Sequence, residues 1–314
     1  MPVQHYYKQP RFKQLRAFCK TVQLENMSKA AEALFLSQPT ISLQIQSLER
    51  DLGAQFFERH GPVIKLTPEG QVLYQVAQPL VEGIESLKET FVAQLGRIES
   101  GELSIAAGES TSLYILPKFM KQFAEQYPGI RLRLMNVTGM DGMKMLRADE
   151  VDLAIGPMLE LPEDVVYKPS ISFTPTLITP LDHPLAKKSD ITLQDISPYG
   201  LILPPRHLTT WRGVDNVFRQ HNVDYTVSLE AGGYEIIKKY VESGLGISIV
   251  TDVCLKGDEK LARKPLDKYF PLRNYGVVVR KGRFLTPQAK LFIEMVDPEF
   301  FHYYAECVDS VGNK

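Results

Sequence analysis

The sequence predicts a helical module followed by a two-lobed α/β region, and three observations carry that division. Up to about Lys65 the chain holds only short amphipathic helical patterns. One apolar stripe then runs from Leu73 to Phe91, and from Glu102 strand and helix patterns alternate to the end. A chain of 314 residues has the length of two or three domains, and its 44% hydrophobic fraction can fill their cores.

In the first segment Leu15, Phe18 and Val22 recur at i, i+3 and i+7. Ser28 stands where it can cap a second helix bearing Ala30, Ala31 and Leu34. Ser37 caps a third, with Pro39 tolerated in its first turn. On that third helix Ile41, Ile45, Leu48 and Leu52 share one side at about 100° per residue. Gly53 then takes the place of a C-terminal stop. Two helices with a tight turn, the second carrying one apolar face, make a helix-turn-helix candidate; an ordinary packed hairpin has the same pattern. The opposite side presents Pro39, Leu43, Gln46 and Arg50, flanked by Thr40, Ser42 and Ser47.

Thr67-Pro68-Glu69 opens the next helix, Thr67 as cap and Pro68 in the first turn. Leu73, Val76, Leu80, Leu87 and Phe91 form a stripe along it, and charged residues occupy its other faces, as in a dimerising linker. Pro79 is expected to kink it or to leave one carbonyl unpaired.

Beyond Glu102, "LSIAAG", "IRLRLMNV" and "VDLAIGP" read as strands, separated by the helices "LYILPKFMKQFAEQYP" and "GMKMLRADE". Strand-helix-strand order with short turns predicts a parallel, doubly wound sheet. "TPTLITP", "YGLILPP", "YTVSLEA" and "GISIVT" supply later strands, with a helix from Tyr234 to Ser243 between the last two. "YGVVVRKG" and the helix "TPQAKLFIEMV" close the chain. Two such sheets fit, with a cleft between them at the carboxyl ends of the strands.

Composition excludes several classes. A net charge of −1 rules out a uniformly basic coat for nucleic acid but leaves room for a local patch. Cys19, Cys254 and Cys307 lie far apart, so neither a disulfide framework nor a zinc site is expected. They read as small apolar residues, with a redox role for Cys254 as the alternative. The six histidines lack metal-ligand spacing, and no glycine-rich phosphate loop occurs. In "GESTS", Ser112 stands where a nucleophile elbow needs glycine, so an acyl hydrolase is disfavoured. No apolar run reaches the roughly 20 residues of a membrane helix, and the N-terminus lacks a signal-peptide core. No cofactor or membrane partner is expected, and the location read is the cytoplasm.

The block "LRAFCKTVQLENMSKAAEALFLSQPTISLQIQSLERDLGAQFFER" followed by "LTPEG" resembles the LysR-type transcriptional regulators. The paired alanines, Ser37-Gln38-Pro39, Ile41-Ser42, Leu48-Glu49, Leu52-Gly53, Phe56-Phe57-Arg59 and Leu66-Thr67 carry the likeness. Weaker echoes continue through "VDLAIGP", "DHPLA", "VESGLGISIV" and "YGVVVRKG". The resemblance implies an α plus α/β chain. An N-terminal winged helix-turn-helix (1–67) precedes a linker and dimerisation helix (68–101). A two-lobed, periplasmic-binding-protein-like effector domain (102–314) follows, with lobe I at 102–173 plus 276–314 and lobe II at 174–275. It further implies binding to double-stranded promoter DNA, a small effector in the inter-lobe cleft, and a homodimer or homotetramer. A stand-alone solute-binding protein is the alternative; it would carry an export signal and no DNA-binding block.

On that footing the DNA-facing residues are Ser28, Lys29, Gln38, Pro39, Thr40, Ser42, Leu43, Gln44, Arg50, Arg59 and Lys65. Gln38, Thr40, Ser42 and Gln44 offer hydrogen bonds to base edges, while Lys29, Arg50, Arg59 and Lys65 can neutralise phosphates. Many relatives carry arginine where Leu43 sits; leucine can instead touch a thymine methyl. The wing "HGPVIKL" is poor in the arginines common in relatives, which predicts a shallower salt dependence. For the effector, Ser110 and Thr111 fall at a helix start, where free N–H groups attract anions, and Thr138-Gly139 ends the neighbouring strand. Arg206, Thr209, Thr210, Gly246, Ile247 and Ser248 are the candidates from the second lobe. The effector is expected to be small and anionic.

Overall fold

The computed structural model describes residues 11–58, 64–94 and 100–309, and the chain divides into two compact units. One comprises Met1–Ile98 with Lys281–Pro287, the other Glu99–Arg280 with Gln288–Lys314.

The first unit opens with α1 (Arg11–Leu24), α2 (Met27–Ala33) and α3 (Gln38–Leu52). Asn26 rather than Ser28 caps α2, its side chain accepting from the N–H groups of Ser28 and Lys29 at 2.8 and 3.0 Å. Ser37 caps α3 through the N–H of Thr40, and Gly53 ends it in the left-handed region at φ 69°. Ile41, Ile45 and Leu48 are buried against Ala17, Phe18, Phe56 and Phe57. Leu52, assigned to that face by periodicity, is exposed because it lies in the last turn, beyond the core. Phe18 is the centre of this small core, with the rings of Phe56, Phe57 and Tyr74 at 5.4–6.4 Å. A wing base follows, where Phe57 bridges Leu66 and the Glu58 N–H donates to the Lys65 carbonyl at 2.9 Å.

Thr67 caps α4 (Pro68–Glu85), and α5 (Leu87–Gln94) follows after a break at Ser86. Pro79 does not end the helix as a breaker would: it sits inside α4. The helix carries two apolar faces. Ala77 and Val81 are buried, with Leu73 and Tyr74 packed beside them, on the helix-turn-helix core, so the single stripe expected from Leu73 divides. The other face, Val72, Val76, Leu80 and Ile84, stays exposed, as do Leu87 and Phe91 on α5.

The second unit begins with β1 (Gly101–Ala107), a π-type turn at Thr111–Ile115, α6 (Leu116–Gln126), β2 (Ile130–Asn136), α7 (Gly139–Arg147) and β3 (Leu153–Gly156). Then come β4 (Val165–Phe173), β5 (Pro175–Pro180), α8 (Leu193–Ile196), β6 (Gly200–Leu203), α9 (Thr209–Gln220) and β7 (Thr226–Glu230). The rest is α10 (Tyr234–Glu242), β8 (Ser248–Thr251), β9 (Leu261–Pro265), β10 (Arg273–Arg280), α11 (Pro287–Val296) and α12 (Phe300–Asp309).

The first lobe is a five-stranded sheet in the order β2-β1-β3-β10-β4. Only β2, β1 and β3 run parallel; β10 pairs antiparallel with both β3 and β4, so the sheet is mixed rather than wholly parallel. β10 begins at Arg273, opposite Phe173, so residues 273–275 belong to the first-lobe sheet and not to the second lobe assigned from sequence. The second lobe pairs β8-β5-β9 antiparallel and β6-β7 parallel, stitched where the Ile202 N–H donates to the Ile247 carbonyl at 2.8 Å. Two strand crossings therefore join the lobes, at β4 to β5 and at β9 to β10. Strands β4 and β9 and helices α8, α9 and α12 escaped the sequence reading. β4 and β9 lack a clean apolar alternation, and β4 carries Pro169 inside it.

Candidate functional site

Two sites are assembled, one per unit. On α3 the buried residues seat the helix, which leaves Gln38, Pro39, Leu43, Gln46 and Arg50 exposed on the far side. Leu43 is 65% exposed, an apolar side chain held in water on a helix whose Ile41, Ile45 and Leu48 are buried. The hydroxyls of Ser37 and Thr40 lie 2.8 Å apart, and Gln46 donates to Ser42 at 3.3 Å, so Thr40 and Ser42 are oriented by neighbours. Gln44 is half-buried, its Oε1 enclosed and without a partner, so it faces inward more than the sequence implied. Ser28, Lys29 and Lys65 are exposed; Arg59 and His60 lie outside the described residues.

The second site lies between the lobes of the effector unit. From the first lobe, Glu109, Ser110 and Thr111 enter a helical turn straight after β1, and the Ser112 N–H returns to the Gly108 carbonyl at 2.9 Å. Thr111 is fully buried yet its Oγ1 has no partner, and the enclosed Ser112 Oγ also has none. The second lobe contributes Thr209 and Thr210 at the start of α9 and Tyr234 at the start of α10. Tyr234 Oη lies 2.9 Å from Thr251 Oγ1 and 3.3 Å from Thr210 Oγ1. Burial pushes the Tyr234 hydroxyl up to about 12 against the opposing charge of Arg273, so it stays protonated.

Arg273, at the crossing into β10, is the residue sequence reasoning missed. Its Nη2 donates to Thr209 Oγ1 at 2.5 Å, its guanidinium lies 6.0 Å from the Tyr275 ring, and its Nε is buried without a partner. Among the described residues no carboxylate pairs with it, and the fully buried Tyr275 side chain lies against its guanidinium. A half-buried cation ringed by threonine and tyrosine hydroxyls, without a counter-charge, favours an incoming anion.

The remaining candidates divide. Thr138 caps α7, accepting from the Asp141 N–H and donating to its carboxylate at 2.7 Å, and Gly139 opens that helix in unfilled space. Arg206 is exposed and stacks over Trp211 at 5.1 Å instead of joining the cluster. Gly246, Ile247 and Ser248 are interior: a Cβ at Gly246 would meet the Gly200 carbonyl oxygen at 2.5 Å, and Ser248 donates to the Ile202 carbonyl at 2.6 Å. Their apolar spacing signals a strand seam as readily as a cleft wall.

A polar bridge also joins the lobes. Tyr114 donates to Glu235 on α10 at 2.6 Å, and Glu235 accepts from Lys238 at 3.0 Å. Lys238 is 3% exposed and also donates to Glu259 and to the Cys254 carbonyl. Burial opposes the charge on Glu259, but the N–H groups of Lys256 and Gly257 and the Lys238 ammonium hold its carboxyl down to about 2. Burial pushes the Cys254 thiol up to about 12, which removes the thiolate that redox chemistry requires.

Both regions match known proteins. Residues 12–71 match the family described as bacterial regulatory helix-turn-helix protein, lysR family, and residues 96–300 match the LysR substrate binding domain. The chain is 31% identical over 292 residues to the transcriptional regulator SsuR of Burkholderia cenocepacia, covering 91% of this chain and 94% of that protein. The CysB regulator of the same organism is 29% identical, with 87% and 88% covered. Among solved structures, a full-length OxyR variant from Pseudomonas aeruginosa shares the fold with a TM-score of 0.67 at 24% identity, over 91% of this chain and 93% of that one. The cofactor-binding domain of the Cbl regulator superposes with a TM-score of 0.61 at 27% identity, over 65% and 92% of the respective chains. The chain belongs to the LysR family of transcriptional regulators, proteins that pair a DNA-binding helix-turn-helix with an effector-binding domain and are not enzymes.

Proposed function

We propose that this regulator reads promoter DNA with the exposed side of α3 and senses a small anion held between the lobes by Thr111, Ser112, Thr209, Tyr275 and Arg273. The observation that carries the proposal is Arg273, a half-buried guanidinium with no carboxylate partner among the described residues and a buried Nε that has no partner. An anion there would satisfy the guanidinium and, by touching residues of both lobes, bias their relative position. Gln38, Thr40, Ser42 and Leu43 approach base edges in the major groove, and Lys29, Arg50, Arg59 and Lys65 meet phosphates. The exposed stripe of Val72, Val76, Leu80, Ile84, Leu87 and Phe91 supports a homodimer through the linker helices, with a homotetramer as the working assembly. Access to promoter DNA sets the working location as the cytoplasm.

The test combines a gel shift on the DNA upstream of the protein's own gene with a thermal-shift screen of small anions. Saturation at 100 times Kd is expected to add about 2.7 kcal/mol of stability. Thr111→Val and Arg273→Met are expected to lose most of that shift. Loss in neither variant removes the cleft assignment, and no retarded complex across a range of salt removes the DNA assignment.

A further inference from the structure

The cleft holds a second unpaired charge, of the opposite sign. Glu109 sits in the turn after β1, next to Ser110 and Thr111, and its carboxylate lies against the backbone of Gly233 on the other lobe. The contact is so close that a Cβ at Gly233 would overlap both carboxylate oxygens, and Gly233 adopts φ 78°, a conformation suited to glycine. Gly233 precedes α10, whose N-terminus has no side-chain cap. Yet Glu109 has neither an ion pair nor a hydrogen bond among the described residues. Glu235, the other acid on this wall, differs: Tyr114 and Lys238 already hold it.

Glu109 and Arg273 are arranged about one residue. Glu109 touches Gly233, the neighbour of Tyr234, while the hydroxyl end of Tyr234 meets Thr210 and Thr251 and feels the charge of Arg273. The two opposite charges thus meet opposite ends of the Gly233–Tyr234 pair and form no ion pair with each other. Fully buried Thr111, in the same turn as Glu109, adds an unpartnered hydroxyl. A simple anion would satisfy Arg273 but leave the Glu109 carboxylate facing a like charge. A ligand with an ammonium group a few bonds from its anion answers both.

We propose that the effector is zwitterionic, a small amino acid or aminosulfonate whose acid group meets Arg273 and whose ammonium meets Glu109. This assignment rests on the anion-sensing cleft proposed above and adds the second charge.

The experiment titrates the full-length protein with matched pairs that differ only in amine against hydroxyl: alanine and lactate, β-alanine and 3-hydroxypropionate, taurine and isethionate. In at least one pair the amine-bearing member is expected to bind roughly tenfold or more tightly, the size of one charge-assisted contact. Glu109→Gln is expected to bring that pair within about twofold, whereas Arg273→Lys and Arg273→Met weaken both members. Equal binding within every pair, a preference that survives Glu109→Gln, or no binding by any member overturns the zwitterion assignment. If hydroxy acids bind and Arg273→Met abolishes it, the anion-sensing cleft stands without the zwitterion. If neither Arg273 variant alters any binding observed, the cleft assignment falls with it.

Discussion

The helix-turn-helix and the effector unit handle polar side chains in opposite ways. On α3 the candidate contacts stand within a few helical turns on the exposed side of a single element, and the buried side needs only Ile41, Ile45 and Leu48. In the cleft the contacts come from separate segments, at Glu109–Ser112, Thr209–Thr210, Tyr234 and Arg273–Tyr275, and several of their polar atoms are enclosed without partners. The first arrangement is ready for a wet, charged surface, where water satisfies each group until DNA replaces it. The second withholds water from groups that then require a ligand.

The largest effect expected from breaking this contrast lies at Lys238. Replacing it with methionine removes one of the two cations on buried Glu259, leaving the Arg263 guanidinium, and is expected to cost about 1–3 kcal/mol. Trp211 is the only tryptophan and is buried in the second lobe, so its fluorescence reports unfolding there. The transition seen by Trp211 is expected to fall while the helix-turn-helix stays folded. The pH dependence has a definite sign. The Glu259 carboxyl titrates at about 2 in the fold against its usual 4.5, so its stabilisation is complete above pH 4.5. That contribution drains away as pH falls from 4.5 through about 2. Glu259→Gln is expected to flatten the Trp211-monitored acid transition in that window; an unchanged profile refutes the assignment.

A smaller effect is expected at the start of α3. Ser37→Ala removes the acceptor for the Thr40 N–H and costs about 1 kcal/mol, within the usual range for a helix cap. The loss belongs to the first unit, so the Trp211 transition should not move while the far-ultraviolet melting of the helical module does. Coupled loss in both signals would show the two units unfolding together.

The same contrast explains what could be read in advance. Helix α3 was legible because its cap, its apolar spacing and its glycine stop all lie within one short run, Ser37 to Gly53. Strands β5, β6, β7 and β8 were legible as short apolar runs. Arg273 was not, because β10 has both faces covered from Tyr275 to Val279 and so shows no alternation to fix its register. Had that register been known, Arg273 would have shared the face of Tyr275, Val277 and Val279, an odd place for an unpaired cation. Lys238 left a clearer trace: Tyr234, Ile237, Lys238 and Val241 fall at i, i+3, i+4 and i+7, with the lysine at a core position. Pairings such as Tyr114 with Glu235 span 121 residues and leave no local pattern.

The smallest effect on stability, and the sharpest on function, is expected at Leu43. Its side chain is 65% exposed and contacts no core, so Leu43→Arg is expected to change stability by less than about 0.5 kcal/mol. The chemistry offered to the major groove changes completely. Leucine has no hydrogen bond to give and gains only from an apolar partner, which among base edges is the thymine methyl. Arginine at the same position can grip the O6 and N7 of guanine, a discrimination of about 1–3 kcal/mol. Selection from a randomised operator library is therefore expected to replace thymine by guanine at one position of each half-site. Overall affinity for non-specific DNA should rise only by the one added charge, about one unit of salt slope. An unchanged binding-site profile would remove Leu43 from the reading surface and leave hydrogen bonding from Gln38, Thr40 and Ser42 as the source of specificity.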